Sequence, residues 1–528
     1  MKVLAILLSF CLFFTRCQAD FDFSIYSNLT ADAITNGHQL VGYIQDPNGR
    51  GTTSLVVSCL LTLVLCVWSA LHLNVPPRDQ SRWQALWLNV RWIVAGIYAP
   101  ELVVFTAWRQ WCSARLLQQL VLKLAKENEG NPEIVKRYAR WTMAHSFFAC
   151  TGGFVFELEA LDHVTLNGVD VLLDRPQRLT ITARGVAILA KCGHLPTVRK
   201  EEIEDKSKAN DLAKATVLVQ AIWMLVQVAG RLASHLPVTP LEVNTVAHVL
   251  CAFLMYMFWW NKPLLPNEPI ILEAEQLGPL AAFMYSSSEM SGYVSSEQVK
   301  SQTVVKTLLA HLNLYPRTPE FEAICLRLPN TCNAAKTPTV EVSYTIAEPV
   351  ESEHSHSIPS PDTMEHDVDN VRCVHLKAEQ LVADHVQNWP SNDLLHNVDG
   401  LVVGMVLWLA NFCYGGIHAA AWNEHFPSEA EMWLWRASAV YIGFCGGLRV
   451  VLNFIVARVP ALNQFWEHWM GGKKTWWQSF SLGINVFVCG LSLVLAHMFI
   501  VIEAVISIRE LPASAYETPQ WTDLFPHL

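Results

Sequence analysis

Six apolar runs constrain this chain more than any other feature. They cover residues 53–73, 215–233, 241–260, 401–421, 432–457 and 480–508. Each is about the length of helix that spans the hydrocarbon core of a bilayer. In lipid, backbone polar groups must be satisfied within the protein, which leaves helices or closed barrels. The expected fold class is therefore all-α, a polytopic membrane helix bundle with about six spans plus one re-entrant or interfacial helix. Composition agrees. Hydrophobic residues make up 52% of the 528, and charged residues only 16%, against about 25% in soluble domains. A net charge of -10 offers no basic surface for nucleic acid, so the bilayer itself is the first expected partner.

The re-entrant element is "NVRWIVAGIYAPELVVFTAWRQW", residues 89–111. It is apolar enough to enter a membrane, yet it carries Pro100-Glu101 in its middle and Arg91 near its start. Proline removes a backbone donor and kinks or breaks a helix. Irregular backbone at membrane depth survives only where protein or a cavity covers it, which places Glu101 inside the protein body. If this segment does not cross, the basic stretches lie inside and the acidic ones outside, as the positive-inside rule asks.

The expected layout follows. Residues 1–19, with Lys2, "VLAILLSFCLFF" and a small-residue site ending at Ala19, read as a signal peptide. Residues 20–50 form a lumenal segment with a glycosylation sequon at Asn28. Residues 51–260 form a membrane region carrying a cytosolic basic insert, 112–210. Residues 261–398 form a cytosolic loop, of which 318–369 is rich in Thr, Glu, Ser, Pro and His and reads as disordered. A helix bundle, 399–508, and a lumenal tail, 509–528, complete the chain. Insertion is expected at the endoplasmic reticulum.

Caps mark several edges. "TPLE" at Thr239 to Glu242 is a capping box with Pro at the first helical position, and "SEAE" at Ser428 to Glu431 is another capping box. Gly400-x-x-x-Gly404 and Gly443-x-x-x-Gly447 allow close helix approach.

Familiar catalytic motifs are missing. "GGKKT" at Gly471 lacks the upstream glycine of a phosphate loop, with Glu467 in its place. No GxSxG, HExxH or dinucleotide fingerprint stands in a suitable context. None of the 14 Cys forms a CxxC pair, and "ESEHSHS" at Glu351 reads as a solvated linker before it reads as a ligand set. No metal and no cofactor is expected.

Ionisable groups in apolar segments remain, and these are costly in lipid. They include Glu101, Glu157, Arg231, Glu242, His248, Arg449, His497 and Glu503. Ordinary roles are open to each: Glu242 as a cap, Arg231 as its partner, the histidines as hydrogen-bonded interior groups. The 20 Trp cluster at span ends, where an aromatic belt is expected, and some can present ring faces to a cation.

"GTTSLVVSCLLTLVLCVWSALHLNVPP", "APE" at Ala99, "DKSKANDLAKATVLVQAIWMLVQ" and "FWWNKPL" resemble a large fungal family of polytopic membrane proteins. The likeness extends to membrane-bound terpene cyclases of fungal meroterpenoid pathways. That resemblance implies protonation-initiated cyclisation of a lipophilic prenylated small molecule in secondary metabolism. The DxDD and DDxxD motifs of soluble cyclases are absent, so other acids must act. A buried carboxyl stays neutral until used, because burial disfavours its charge. Glu101 and Glu157 are the expected acids, and Trp92, Trp108, Trp259 and Trp260 the expected cation-facing aromatics. A transporter, or a structural or assembly protein, is the competing expectation.

Overall fold

The computed structural model describes residues 40–44, 50–70, 72–128, 130–157, 178–205, 211–263, 268–272, 380–389, 393–397, 400–462 and 476–517, with single positions 281, 284, 285, 288 and 464 besides. The expected signal peptide, residues 1–19, the expected sequon at Asn28 and the segment 318–369 lie outside the described residues.

The described chain is mostly helical. In order, α1 is Thr52–Ala70, α2 Arg82–Tyr98, α3 Pro100–Glu127, α4 Pro132–Ala139 and α5 Met143–Cys150. Then come α6 Ala183–Lys191, α7 Lys200–Asp205, α8 Asp211–Ala233 and α9 Pro240–Trp259. The last three are α10 Gly400–Ala419, α11 Glu429–Arg458 and α12 Trp476–Ile506. Short strands accompany them: β1 Leu40–Val41, β2 Phe154–Glu157, β3 Arg178–Ile181, β4 Ile270–Leu272 and β5 Leu511–Pro512. Strand β1 pairs antiparallel with β5, and β2 pairs parallel with β4. The all-α expectation therefore holds for the bundle and fails at these strands. "FVFE" and "IIL" are alternating or branched apolar runs too short to signal a strand by period alone.

Two compact units divide the chain. The larger holds residues 1–156, 178–272 and 383–528, and the smaller 157–177 and 273–382. In the smaller unit the Ser288 hydroxyl donates to the Met284 carbonyl at 2.7 Å and accepts from the Val382 N–H at 3.2 Å. Everything below concerns the larger unit unless stated.

Among the described residues, four helices are long and apolar enough to cross a membrane: Pro240–Trp259, Val403–Asn423, Glu429–Val456 and Phe487–Arg509. The bent pair α2 and α3 is a fifth if it counts as one span. The expectation of about six is thus met in part. Thr52–Trp68 and Val217–Ala233 are apolar but shorter. They lie within α1, of 19 residues, and α8, of 23 residues, which at 1.5 Å per residue are about 28 and 34 Å long, near the roughly 30 Å of a hydrocarbon core.

Burial separates the centre from the rim. Of the apolar window in α9, 78% is buried, against 22% in the Glu429–Val456 helix. The apolar residues that α11 and α12 leave exposed, such as Phe444, Phe454, Phe487 and Val494, form surfaces that suit lipid. α10 and α11 form a tight hairpin joined by a short turn. A Cβ on Gly415 would lie 2.4 Å from the Gly443 backbone nitrogen, and one on Gly446 would lie 2.5 Å from the Trp408 carbonyl oxygen. Backbone-to-backbone contact therefore uses Gly415, Gly443 and Gly446. Gly404 stands beside the Asn453 side chain instead.

Local chemistry sets the helix starts. Ser81 and Gln84 form a capping box on α2, and Thr142 with His145 does so on α5. Thr239 and Glu242 cap α9 behind Pro240, as the "TPLE" string predicts. Ser428 caps α11 by accepting from the Glu431 N–H at 3.3 Å. The break read from Pro100 is real. α2 and α3 meet at 111° with Ala99 between them, and Pro100 sits at the first turn of α3, where its missing N–H costs nothing.

Candidate functional site

The break places Glu101 in the first turn of α3, where helix N–H groups favour a carboxylate. Glu101 is 3% exposed. Its Oε1 lies 3.2 Å from Nε2 of His497 on α12. The Tyr414 ring, from α10, stacks on the His497 ring with centroids 5.4 Å apart and planes 14° apart. One turn along α10, His418 packs on Tyr414 at 4.4 Å. Its Nε2 lies 3.2 Å from Oδ1 of Asn244 on α9, and Trp435 of α11 donates from Nε1 to the His418 carbonyl at 3.0 Å. His248, one turn beyond Asn244, meets Tyr414 edge-on at 6.1 Å.

The three histidines share one anchor. Nδ1 of His248, His418 and His497 lies 2.8, 2.9 and 2.9 Å from the carbonyl oxygen four residues earlier, on Asn244, Tyr414 and Leu493. A carbonyl only accepts, so each Nδ1 carries a proton. Each ring is thereby oriented with Nε2 pointing away from its own helix. For His497, Nε2 can take a proton from Glu101 or hold one for it. Glu101 Oε2 and the Tyr414 hydroxyl have no hydrogen-bond partner among the described residues. Buried polar groups left this way are few in native proteins and call for a reason.

Elsewhere in the unit, a second buried group is Lys262 of the "FWWNKPL" string. Its ammonium donates to the His72 carbonyl, to Asn74 Oδ1 at 3.1 Å and to Gln110 Oε1 at 2.8 Å. It also lies 4.6 Å from the Trp259 ring centroid. Trp259 Nε1 donates to the same Gln110 oxygen at 3.1 Å, so α9 and α3 are tied here. Burial pushes the Lys262 ammonium down to about 7; the three acceptors and the Trp259 face act the other way.

A third cluster surrounds Arg231. Its guanidinium donates to the carbonyls of Pro237 at 2.8 and 3.1 Å, Glu517 at 2.6 Å, Ala515 at 2.9 Å and Ser514 at 3.4 Å. Glu242 Oε1 lies 2.5 Å from Arg50 and 4.0 Å from Arg231. Its Oε2 accepts from the Thr239 N–H and hydroxyl, both at 2.9 Å. Glu242 is thus both cap and counter-ion. Near it, burial and the Glu242 charge push the Glu424 carboxyl up to about 7.

The other sequence candidates fall as follows. Glu157 ends strand β2, half-buried, and belongs to the smaller unit. Trp92 and Trp108 are half-buried and pack on the apolar core, with Trp108 against Phe105 at 6.0 Å. Trp259 is buried but its face is occupied by Lys262, and Trp260 is exposed. Arg449 lies 4.2 Å over the Trp408 ring. Among the described residues, no group of three His, Cys, Asp or Glu could hold a metal ion.

Sequence reasoning singled out Glu101, His248 and His497 but missed Tyr414, His418, Asn244 and Lys262. A signal existed for the first three. Asn244-x-x-x-His248 and Tyr414-x-x-x-His418 each put two polar groups on one face of an apolar helix.

The profile of a family of unknown function, DUF8562, matches residues 23–308 and 360–528. The chain belongs to that family. Glu101, His248, Lys262, Tyr414 and His497 all lie within the matched DUF8562 stretches, and the unmatched 309–359 overlaps the polar segment 318–369. No curated protein and no solved structure matches the chain.

Proposed function

We propose that this DUF8562 protein is an intramembrane acid–base enzyme, a terpene cyclase acting on a lipophilic prenylated substrate. The observation that carries the proposal is the buried Glu101–His497 pair, with an unpartnered carboxylate oxygen and an unpartnered Tyr414 hydroxyl beside it. In this reading about six helices cross the bilayer, counting the two short ones, after insertion at the endoplasmic reticulum. A prenyl chain reaches such a site from the lipid.

Glu101 gives its proton to an epoxide oxygen or alkene carbon of the substrate. The alkene π electrons form the new carbon–carbon bonds. The final carbocation loses a proton to Glu101 or His497, so the product is an isomer of unchanged mass. His497, held at Nδ1, is suited to exchange the proton with Glu101. The unpartnered Tyr414 hydroxyl is available to orient a substrate oxygen. Glu157 ends a strand in the smaller unit, so Glu101 is the acid we assign.

The test is expression in yeast, with membranes given farnesylated aromatic substrates and their terminal epoxides, and products read by mass spectrometry and NMR. A cyclised isomer that disappears with Glu101→Gln supports the reading. An isomer that survives Glu101→Gln and disappears with Glu157→Gln moves the acid to strand β2.

One observation favours a second reading. Glu101, His497, His418 and His248 lie on α3, α12, α10 and α9, a set of titratable groups that crosses the bundle. Proton-coupled transport uses such sets. Proton uptake into reconstituted vesicles, abolished by Glu101→Gln, would favour it over cyclisation.

A further inference from the structure

The broken helix has its own accounting problem. In an unbroken helix the Ile97 carbonyl would accept from the Glu101 N–H. The break removes that partner: Ala99 N–H turns back to the Ala95 carbonyl at 2.8 Å, and Leu102 N–H to the Ala99 carbonyl at 3.1 Å. Freed carbonyls at membrane depth must be satisfied by a neighbour. The neighbour is His248 of α9, whose Nε2 lies 2.8 Å from the Ile97 oxygen. Its Nδ1 lies 2.8 Å from the Asn244 oxygen.

Both partners of this ring are carbonyl oxygens, which cannot donate. A neutral imidazole has one N–H and one lone pair, so at one of these contacts a lone pair would face a lone pair. Only the imidazolium satisfies both. No rotation of a side-chain amide or hydroxyl resolves the conflict, because neither partner is a side chain. His418 differs here, since the Asn244 amide can turn its nitrogen toward a neutral ring.

We propose that His248 is a proton-binding site that latches the break: with the second proton bound, its ring bridges α9 to the Ile97 carbonyl and holds Glu101 in place. The groups that face it are Glu101 on α3, His497 on α12, and Tyr414 and His418 on α10. Of these, Glu101 carries the one carboxyl group beside the ring. When the proton leaves, the ring keeps one donor for two acceptors. The Asn244 contact lies within α9 and travels with the helix, whereas the Ile97 contact joins two helices. The interhelical contact is the one that opens, and Glu101 sits four residues beyond it. The latch stands whatever the substrate, and it ties the position of the proposed acid to proton supply.

The test is amide hydrogen exchange of the full-length protein in nanodiscs, read by mass spectrometry on peptides covering 96–102. Exchange times are scaled for the intrinsic pH dependence, over about pH 5 to 9, the range in which histidines titrate. Losing one hydrogen bond predicts about three- to tenfold faster exchange at the break on the alkaline side, while the Gly415–Gly443 hairpin stays unchanged. His248→Gln, which keeps a donor that does not titrate, should exchange with no pH step. A wild-type break whose scaled exchange is flat with pH overturns the proposal, as does a step that persists in His248→Gln. Nitrogen-15 spectra of labelled histidine give a second readout. A His248 signal showing both ring nitrogens protonated at low pH is expected, and a neutral ring throughout overturns the latch. Neither readout uses activity, so a failed latch and a failed cyclase are told apart.

Discussion

The Arg231 cluster and the Glu101 cluster are both buried and charged, and they are built in opposite ways. Around Arg231 the donors and acceptors balance: the guanidinium reaches four carbonyls, and both Glu242 oxygens have partners. It binds the end of α8, the start of α9, Arg50 and the tail after β5 into one knot. Lys262 is of the same kind, with three donors for three acceptors. Around Glu101 the balance fails. One carboxylate oxygen and one tyrosine hydroxyl are left over, and His248 has two acceptors for a ring that holds one proton when neutral. A closed account stabilises a fold; an open one leaves capacity for a proton or a substrate group. That contrast, more than burial itself, separates the proposed site from the structural clusters.

Breaking the knot should cost most. Glu242→Ala removes the counter-ion of the half-buried Arg50 and the buried Arg231, and removing one partner of a buried ion pair costs about 3–5 kcal/mol. A large fall in Tm of the detergent-solubilised protein is expected; a fall of only a degree or two would mean that the knot is not a structural lock. Lys262→Met removes the ammonium from the His72 carbonyl and Asn74 Oδ1, leaves Gln110 Oε1 with Trp259, and keeps the stem's packing. A loss of about 2–4 kcal/mol is expected, measured in the same way. A neutral result would place Lys262 outside the structural class.

Glu424 sharpens the comparison through pH. Its carboxyl titrates in the fold near 7, above the ordinary 4.5, because burial disfavours the charge. Between those values the folded protein holds more protons than the unfolded chain, so this group's contribution to stability falls as pH rises from about 4.5 to 7. Glu424→Gln removes that slope and should raise stability at pH 8 by about 1–3 kcal/mol. A Tm at pH 8 no higher than the wild type's would show that the surrounding arginines outweigh burial.

The smallest effect on stability belongs to the open cluster. Tyr414→Phe deletes a hydroxyl that has no partner among the described residues, so stability, followed by Tm, should fall by less than about 1 kcal/mol, or rise. Product formation by the proposed enzyme should fall. A strongly destabilised Tyr414→Phe would erase the contrast and return Tyr414 to the structural class.

Much of this was legible in one dimension. The α9 cap followed from "TPLE", the α11 cap from "SEAE", and the break between α2 and α3 from Pro100. Each depends on residues within a few positions of one another. Hydropathy marked the apolar helices, of which four described ones are long and apolar enough to cross a membrane. Gly443 stood in a packing pattern and lies at the close approach, while Gly404 stands beside Asn453 and the contact also uses Gly415 and Gly446, since rotation about the helix axis selects which glycines face the neighbour.

By itself the sequence determined the mostly helical class with helices apolar enough to cross a membrane, the position of the break and the charge near it, for these arise from polarity and local backbone chemistry. Only the tertiary structure decided that Glu101 meets His497, that His248 covers the Ile97 carbonyl, and that Lys262 closes on Gln110 and Asn74. Those contacts join distant segments. They depend on the rotation and register of packed helices, which are set by how all the side chains interlock and are encoded at no single place along the chain.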